Sequence, residues 1–368
     1  MKKILILVDQ LHSHGGIEKL VAIKANYWSV VFGYEVTILS TEQGAKPVLY
    51  NLSEEVTVCD LKINYNRIKS YFSFQNILKL LKNIVSVQRF VLKEKPDFIV
   101  VASHIPITYV VPFLFGGAKT IKEFHFTKFS RTNSGLKDKL LTYIESQYDF
   151  LVVLSEEERG FYFSTNTVVI ANPIEDSTVT FDVSSVKKEN IAIAVGRFAP
   201  VKQWEKLIEI WSTFHHLNST WKLHIFGEIG NDYYEKLATL VKEKNLQEQV
   251  LFKGQSNAIH EELAKAKVLL MTSEQECFPM VILEANAVGV PVISFDCPTG
   301  PRNIIHNYKD GILVAYDDNA SFVKELITFA SDKNLQLELS ANAERNAKHY
   351  AIASIMQQWN ELIFRAND

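Results

Sequence analysis

The sequence has few cysteines, no long apolar runs and little net charge. Its three cysteines, Cys59, Cys277 and Cys297, lie far apart and form no Cys-x-x-Cys pair. This argues against a disulfide framework or a zinc site and fits a reducing compartment. No stretch approaches the ~18 apolar residues that span a bilayer. The longest candidate, residues 105–115, is short and holds two prolines. The apolar run near the start, residues 4–8, has five residues, too few for a signal peptide. The expected location is therefore cytoplasmic. With 39 Lys and Arg against 42 Asp and Glu, the formal charge is −3, so the chain as a whole is no binder of nucleic acid. No Walker A, His-Glu-x-x-His or Gly-x-Gly-x-x-Gly string occurs, which removes three families of phosphate, zinc and dinucleotide chemistry.

What is present is alternation. At 368 residues with 47% hydrophobic and 22% charged residues, two globular domains are expected. Short apolar runs alternate with helical patterns, the signature of βαβ units on parallel sheets. Strands are predicted at 4–8, 35–39, 98–102, 120–124 and 150–154, with helices at 17–32, 74–94 and 136–147. Polar residues 176–190 lack helical period and read as a linker. A second series has strands at 191–195, 222–226, 250–252, 268–271, 291–294 and 312–314. Its helices are predicted at 203–216, 231–245, 258–265, 279–288, 318–331, 335–347 and 351–364. The fold class is α/β: two Rossmann-like, doubly wound parallel-sheet domains, residues 1–172 and 173–350, with a cleft between them as the default site.

Charge is unevenly spread. Between Lys62 and Lys139 fourteen Lys and Arg face four Asp and Glu, a local excess of +10. Lys79, Lys82, Arg89 and Lys93 fall on one helical stripe. A solvated helix face would account for them. So would weak peripheral attachment to an anionic membrane surface.

Residues 268–305 carry the most chemistry. A buried strand ends at Thr272, a polar turn follows, and Pro279 occupies the expected first helical position. Glu276 stands in the turn, and Glu284 follows it by eight residues inside the helix. A helix N-terminus favours an anion, and two carboxylates beside it can accept from hydroxyls. A diphosphate between two polyols, a nucleotide-sugar, fits that arrangement.

Here the chain resembles glycosyltransferase family 4, the retaining group with the GT-B architecture. The family's hallmark is a Glu-x7-Glu string. This sequence supplies Ser273, Glu276, Phe278, Pro279, Glu284, Ala285, Ala287, Gly289, Pro291, Val292 and Ile293, with Cys277 for the commoner Gly and Asn286 for the commoner Met. By resemblance, Glu276 contacts the transferred sugar and Glu284 the ribose, and Phe278, Pro279, Met280 and Val281 belong to the donor site. Val195-Gly196-Arg197 with Lys202 resembles the family's cation segment; Arg197 and Lys202 would stabilise the departing diphosphate. Gly15-Gly16-Ile17-Glu18 resembles its first glycine loop, with Gly16 the stronger choice and Gly15 beside it. His125, after the strand at 120–124, stands where many members place a histidine near the reacting sugar. His104 is a weaker candidate, and His12 and His14 are left without a role. Asn172-Pro173-Ile174 resembles a hinge element. Gly227-Glu228 matches a Gly-x-Gly turn only in part.

The resemblance implies transfer of a hexose or N-acetylhexosamine from an NDP-sugar, with UDP the expected nucleotide, to a saccharide or lipid-linked saccharide. Residues 296–305 look like a branch that builds bacterial surface polysaccharides. Without an Asp-x-Asp motif, no metal and no other cofactor is expected. A nucleotide-sugar epimerase or phosphorylase on the same frame, and a non-catalytic nucleotide-sugar-binding protein, stay open. The last helix, about 351–368, is expected to pack back onto the first domain.

Overall fold

The computed structural model describes residues 1–71, 73–128, 135–162, 164–175, 182 and 185–365. The chain divides into two units, Met1–Ala171 with Ile355–Asp368, and Asn172–Ser354.

The first unit is a seven-stranded parallel sheet of β1 (Lys3–Val8), β2 (Glu35–Ser40), β3 (Val56–Asp60), β4 (Phe98–Val101), β5 (Lys119–Glu123), β6 (Phe150–Val153) and β7 (Thr167–Val169), in the order β3-β2-β1-β4-β5-β6-β7. The central strand β1 pairs with both neighbours, Ile4 opposite Val36 on one side and Phe98 on the other. Its residues Ile4 to Val8 are all buried, as strands covered on both faces must be. The helices are α1 (Gly16–Asn26), α2 (Phe74–Glu94), α3 (Leu136–Ser146) and α4 (Glu156–Arg159). The second unit is a six-stranded parallel sheet of β8 (Ile191–Val195), β9 (Lys222–Phe226), β10 (Val250–Gly254), β11 (Val268–Met271), β12 (Val292–Phe295) and β13 (Gly311–Val314), in the order β10-β9-β8-β11-β12-β13. Its helices are α5 (Trp204–Leu217), α6 (Asp232–Glu243), α7 (Ile259–Lys265), α8 (Met280–Ala287), α9 (Asn319–Ser331) and α10 (Lys333–Ala347). Trp211, Phe214, Trp221, Phe295, Phe322 and Phe329 fill its core, each contributing about 1.5–3 kcal/mol by leaving water.

The last helix, α11 (Ile352–Arg365), has most of its length in the first unit. There Trp359 meets the fully buried Trp28 edge-on at 5.6 Å, and Tyr34 donates to Asn360 at 2.5 Å.

Several expected elements differ. The helix predicted over 17–32 is α-helical only to Asn26, and residues Tyr27–Val31 form a wider π turn. The buried Trp28 sits in that turn, so tertiary packing outweighs the local period. Residues 105–115 form two short 3-10 turns, Pro106–Tyr109 and Val111–Phe113. Edge strands β3 and β7 are half-exposed and lack the continuous apolar run that marks an inner strand. The linker expected at 176–190 lies largely outside the described residues. Among the described residues, no helix is long and apolar enough to cross a membrane.

Candidate active site

In each sheet the strand order reverses direction once, between β1 and β4 and between β8 and β11. Ligands of such sheets bind beyond the carboxyl ends of the strands at that point. The residues singled out in the sequence emerge from these strand ends.

In the second unit, β8 runs into Gly196 and Arg197. The Gly196 N–H donates to Phe226 O, and the Gly227 N–H to Gly254 O, both at 3.0 Å. The turns approach so closely that a Cβ on Gly227 would stand 2.4 Å from Gly196 O, which leaves glycine as the residue that fits. Trp204 Nε1 donates to Arg197 O at 3.0 Å and pins the turn. The Arg197 side chain is exposed, with no ion pair among the described residues. A 3-10 turn, Pro200–Lys202, ends at Gln203 in the left-handed region, φ 51°, and α5 begins. Thr272, at the end of β11, donates to both Lys202 O and Gln203 O at 3.2 Å. The outcome is an ion pair: Lys202 Nζ lies 2.5 Å from Glu276 Oε1, with the two side chains 19% and 13% exposed.

The Glu276 loop is held from the other side by residues 298–300. The Glu276 N–H donates to Pro298 O at 3.0 Å, and its carbonyl accepts from Thr299 at 2.8 Å and Gly300 at 3.0 Å. A Cβ on Gly300 would meet Glu276 Cβ and Pro279 Cδ, each at 2.8 Å. The family-like segment 296–305 thus buttresses the Glu276 loop. The Cys297 thiol beside it is pushed up to about 12, by burial first and then by the Glu276 carboxylate, so it stays protonated at neutral pH.

One local expectation is corrected. Pro279 is the residue before the helix, extended at ψ 112°, and Met280 is the first helical residue. Among the described residues no side chain caps this N-terminus, so its free N–H groups remain available to an anion. Met280 and Val281 are half-buried, Phe278 packs on Tyr350 at 5.8 Å, and Glu284 is 9% exposed within α8.

In the first unit, Gly15 is the extended residue before α1. A Cβ on Gly15 would strike the Glu18 carboxylate at 2.1 Å, whereas nothing lies within 4 Å of one on Gly16. Glu18 is held by Gln10, whose carbonyl oxygen accepts the N–H groups of His12 and Ser13. At the ends of β4 and β5 lies a cavity of about 210 Å³, lined by His104, Lys122, Glu123, His125, Lys128 and Tyr162 among others. Both strand-end histidines therefore share one pocket. His125 is nearly buried, with its Nε2 3.2 Å from Glu123 Oε2 but off the angle for a hydrogen bond. Among the described residues neither ring nitrogen has a hydrogen-bond partner. Sequence reading missed the partners of this strand: Lys122, which donates to Val101 O and Ser103 O at 3.3 and 2.9 Å, and Lys24, which pairs with Glu123. Their signal was charge inside an apolar strand and on the apolar face of a helix. Ile174, in the expected hinge, pairs with Ala351 and donates to Tyr350 O at 2.8 Å. Among the described residues no group of three His, Cys, Asp or Glu side chains could hold a metal ion.

Residues 177–349 match the family described as Glycosyl transferases group 1. By this match and by its relatives the chain is a glycosyltransferase. It is 28% identical to the amylovoran biosynthesis glycosyltransferase AmsD of Erwinia amylovora, over 99% of this chain and 100% of that one. It is 26% identical to an α-1,4-N-acetyl-D-galactosaminyltransferase of Campylobacter jejuni that acts on a diNAcBac-PP-undecaprenol glycan, covering 99% and 98% of the two chains. Among solved structures, Anabaena HepE in complex with UDP and glucose superposes with a TM-score of 0.78 at 17% identity, over 99% of this chain and 100% of that one. That likeness establishes the fold: this glycosyltransferase has the GT-B architecture of two Rossmann-like sheets.

Proposed function

We propose that this glycosyltransferase moves a hexose or N-acetylhexosamine from a UDP-sugar to a saccharide or lipid-linked saccharide in surface-polysaccharide synthesis, with retention at the anomeric carbon and without a metal. One observation carries the reading. Lys202 and Glu276 meet at 2.5 Å beyond the ends of β8 and β11, beside an Arg197 that engages no acid among the described residues and an uncapped helix end. In the free enzyme the ammonium neutralises the carboxylate. An arriving diphosphate, with about two to three negative charges, takes Lys202 and Arg197 as partners. Glu276 is then released to accept from hydroxyls of the transferred sugar. Glu284 serves the ribose, and Met280 and Val281 line the helix end that receives the phosphates. Gly15 and Gly16 leave room for backbone approach to the ligand, and His125 offers its ring to a sugar hydroxyl. The acceptor oxygen bonds to the anomeric carbon from the leaving-group face. The bond to the β-phosphate oxygen breaks, that oxygen takes the acceptor proton, and UDP departs. The names of the relatives support the polymer, and the bound UDP of the HepE structure supports the nucleotide.

The test is a panel of nucleotide-sugars screened by thermal stabilisation, followed by mass spectrometry of the transferred unit and NMR of its anomeric configuration. UDP should be released only when acceptor is added, the product should be the α-anomer, and EDTA should leave the rate unchanged. Loss of turnover in EDTA that Mn²⁺ restores would overturn the metal-independent mechanism.

In this proposal the enzyme also docks on an anionic membrane surface, and α2 is the contact. Phe74, Ile77, Leu78, Leu81, Val85 and Leu92 are all exposed, and at 3.6 residues per turn they fall within about 60° of one line. Lys82, Arg89 and Lys93 form an exposed row along one flank, and no acidic residue occurs from Phe74 to Lys93. An apolar stripe with a basic border suits insertion between anionic head groups. Vesicles containing phosphatidylglycerol should sediment the protein, and vesicles of phosphatidylcholine should not. Leu81→Asp and Lys82→Glu/Arg89→Glu should each abolish the effect. Equal sedimentation with both lipids would refute it.

A further inference from the structure

Behind the wall of the first unit's cavity lies a buried lysine–glutamate–histidine cluster. Lys24 lies eight residues along α1 from Gly16, on the helix face turned inward among Leu20, Val21 and Ile23. Its ammonium pairs with Glu123, the last residue of β5, with side chains 4% and 2% exposed. It also stands 5.0 Å above the Trp359 ring of α11. A charge so deep is costly unless neutralised. Glu123 and the aromatic face do that for Lys24, and Lys24 does it for Glu123.

The consequence falls on His125. The Glu123 oxygen that Lys24 holds is also the one 3.2 Å from His125 Nε2. Without Lys24, the group nearest the carboxylate that can take up a proton is the imidazole, because the Lys122 ammonium is turned to Val101 O and Ser103 O. We propose that Lys24 is a positioning residue, which by neutralising Glu123 keeps the His125 ring uncharged and leaves its two nitrogens uncommitted at the wall of the cavity. Its importance for catalysis rests on His125 orienting the sugar, as in the proposed function; the charge relation itself does not.

The surrounding groups agree. Burial depresses the His125 pKa, the Glu123 carboxylate opposes that, and the cations of Lys24 and Lys122 add to the depression. Burial alone would raise the Glu123 pKa, but Lys24 and then His125 overcome it and hold the carboxyl at about 2. The other charged or titratable groups around the cavity are His104, Lys128 and Tyr162. Lys128 is engaged with Glu145 at 2.9 Å, and His104 lies 3.1 Å from the Tyr109 hydroxyl. Neither supplies Glu123 with a replacement cation. A neutral imidazole can donate from one nitrogen and accept at the other, whereas an imidazolium can only donate. The uncharged form is therefore the one that can orient a sugar hydroxyl in either sense.

The test is the titration of His125 followed by NMR of its ring protons in the wild type and three variants. In the wild type His125 should titrate below an ordinary histidine. In Lys24→Met the titration should move upward by about one pH unit or more. In Glu123→Gln, which leaves the lysine cation facing the ring, it should move further down. In Lys24→Met/Glu123→Gln, a neutral pair, it should lie between the two single variants. If Lys24→Met does not fold, the other two variants still report. A His125 titration that stays at the wild-type value in either single variant that folds would overturn the proposal. The pH profile of transfer provides the separate link to function. If the ring titration moves as expected while the acid limb of kcat/KM does not follow it, the charge relation stands and the role assigned to His125 falls.

Discussion

Two lysine–glutamate pairs, one in each unit, differ chiefly in how much water reaches them. Lys202 and Glu276 are 19% and 13% exposed, on loops beyond the ends of β8 and β11. Lys24 and Glu123 are 4% and 2% exposed, on α1 and β5. A pair that water still reaches is weak enough for a ligand to exchange. A pair sealed in the interior cannot be broken without stranding a charge. In the proposed reaction the same two residue types thus serve as a replaceable stopper in one unit and as a fixed electrostatic support in the other.

Mutation of the lysines should separate the two. Lys24→Met should destabilise the protein by about 3–5 kcal/mol, because it removes the buried ammonium from Glu123 and leaves only the His125 imidazole to answer the carboxylate. Lys202→Met should cost less than about 1 kcal/mol while lowering the transfer rate by about 10²–10³-fold through the lost diphosphate cation. Denaturant midpoints and initial rates measure both. Equal costs in stability would erase the distinction.

Acid should expose the sealed pair next. Glu123 has its folded pKa depressed to about 2 from the ordinary 4.5, so it binds fewer protons folded than unfolded across that interval. Its stabilisation is complete above pH 4.5 and is lost as the pH falls towards 2. Lys24→Met/Glu123→Gln should flatten that part of the stability profile, and an unchanged slope would count against the pair.

How far these features were readable from the chain follows the same division. β8 and β11 emerge at their predicted limits because strands covered on both faces show continuous apolar runs, and β9 emerges at its own limits although Lys222 and His224 interrupt such a run. α2 matches residues 74–94 through its strong period. β3 and β7, at the sheet edges, carry no such run. The string around Glu276 was legible as a motif, since its parts are close in sequence and each residue type has a chemical reason to be there. The Lys24–Glu123 contact joins residues 99 positions apart, and neither local pattern nor motif can announce it. The same holds for the passage of Gly300 against Glu276 and Pro279.

A last predicted effect lies inside α8. Asn286 is fully buried in α8, and among the described residues neither side-chain polar atom has a partner. Asn286→Met should raise stability by about 1–3 kcal/mol by removing an unsatisfied buried amide, as read from the thermal midpoint. A loss would mean that the amide is satisfied, for instance by an ordered water.

The decisive experiment is the initial rate of sugar transfer by Glu276→Gln at saturating donor, taken alongside its affinity for UDP. The variant keeps the shape of the side chain and removes its charge. UDP should still bind through Arg197, Lys202 and the start of α8, while transfer falls by about a hundredfold or more. Transfer at the wild-type rate would contradict the assignment of Glu276 to the reacting sugar, and with it the exchange of Lys202 from carboxylate to diphosphate when donor binds.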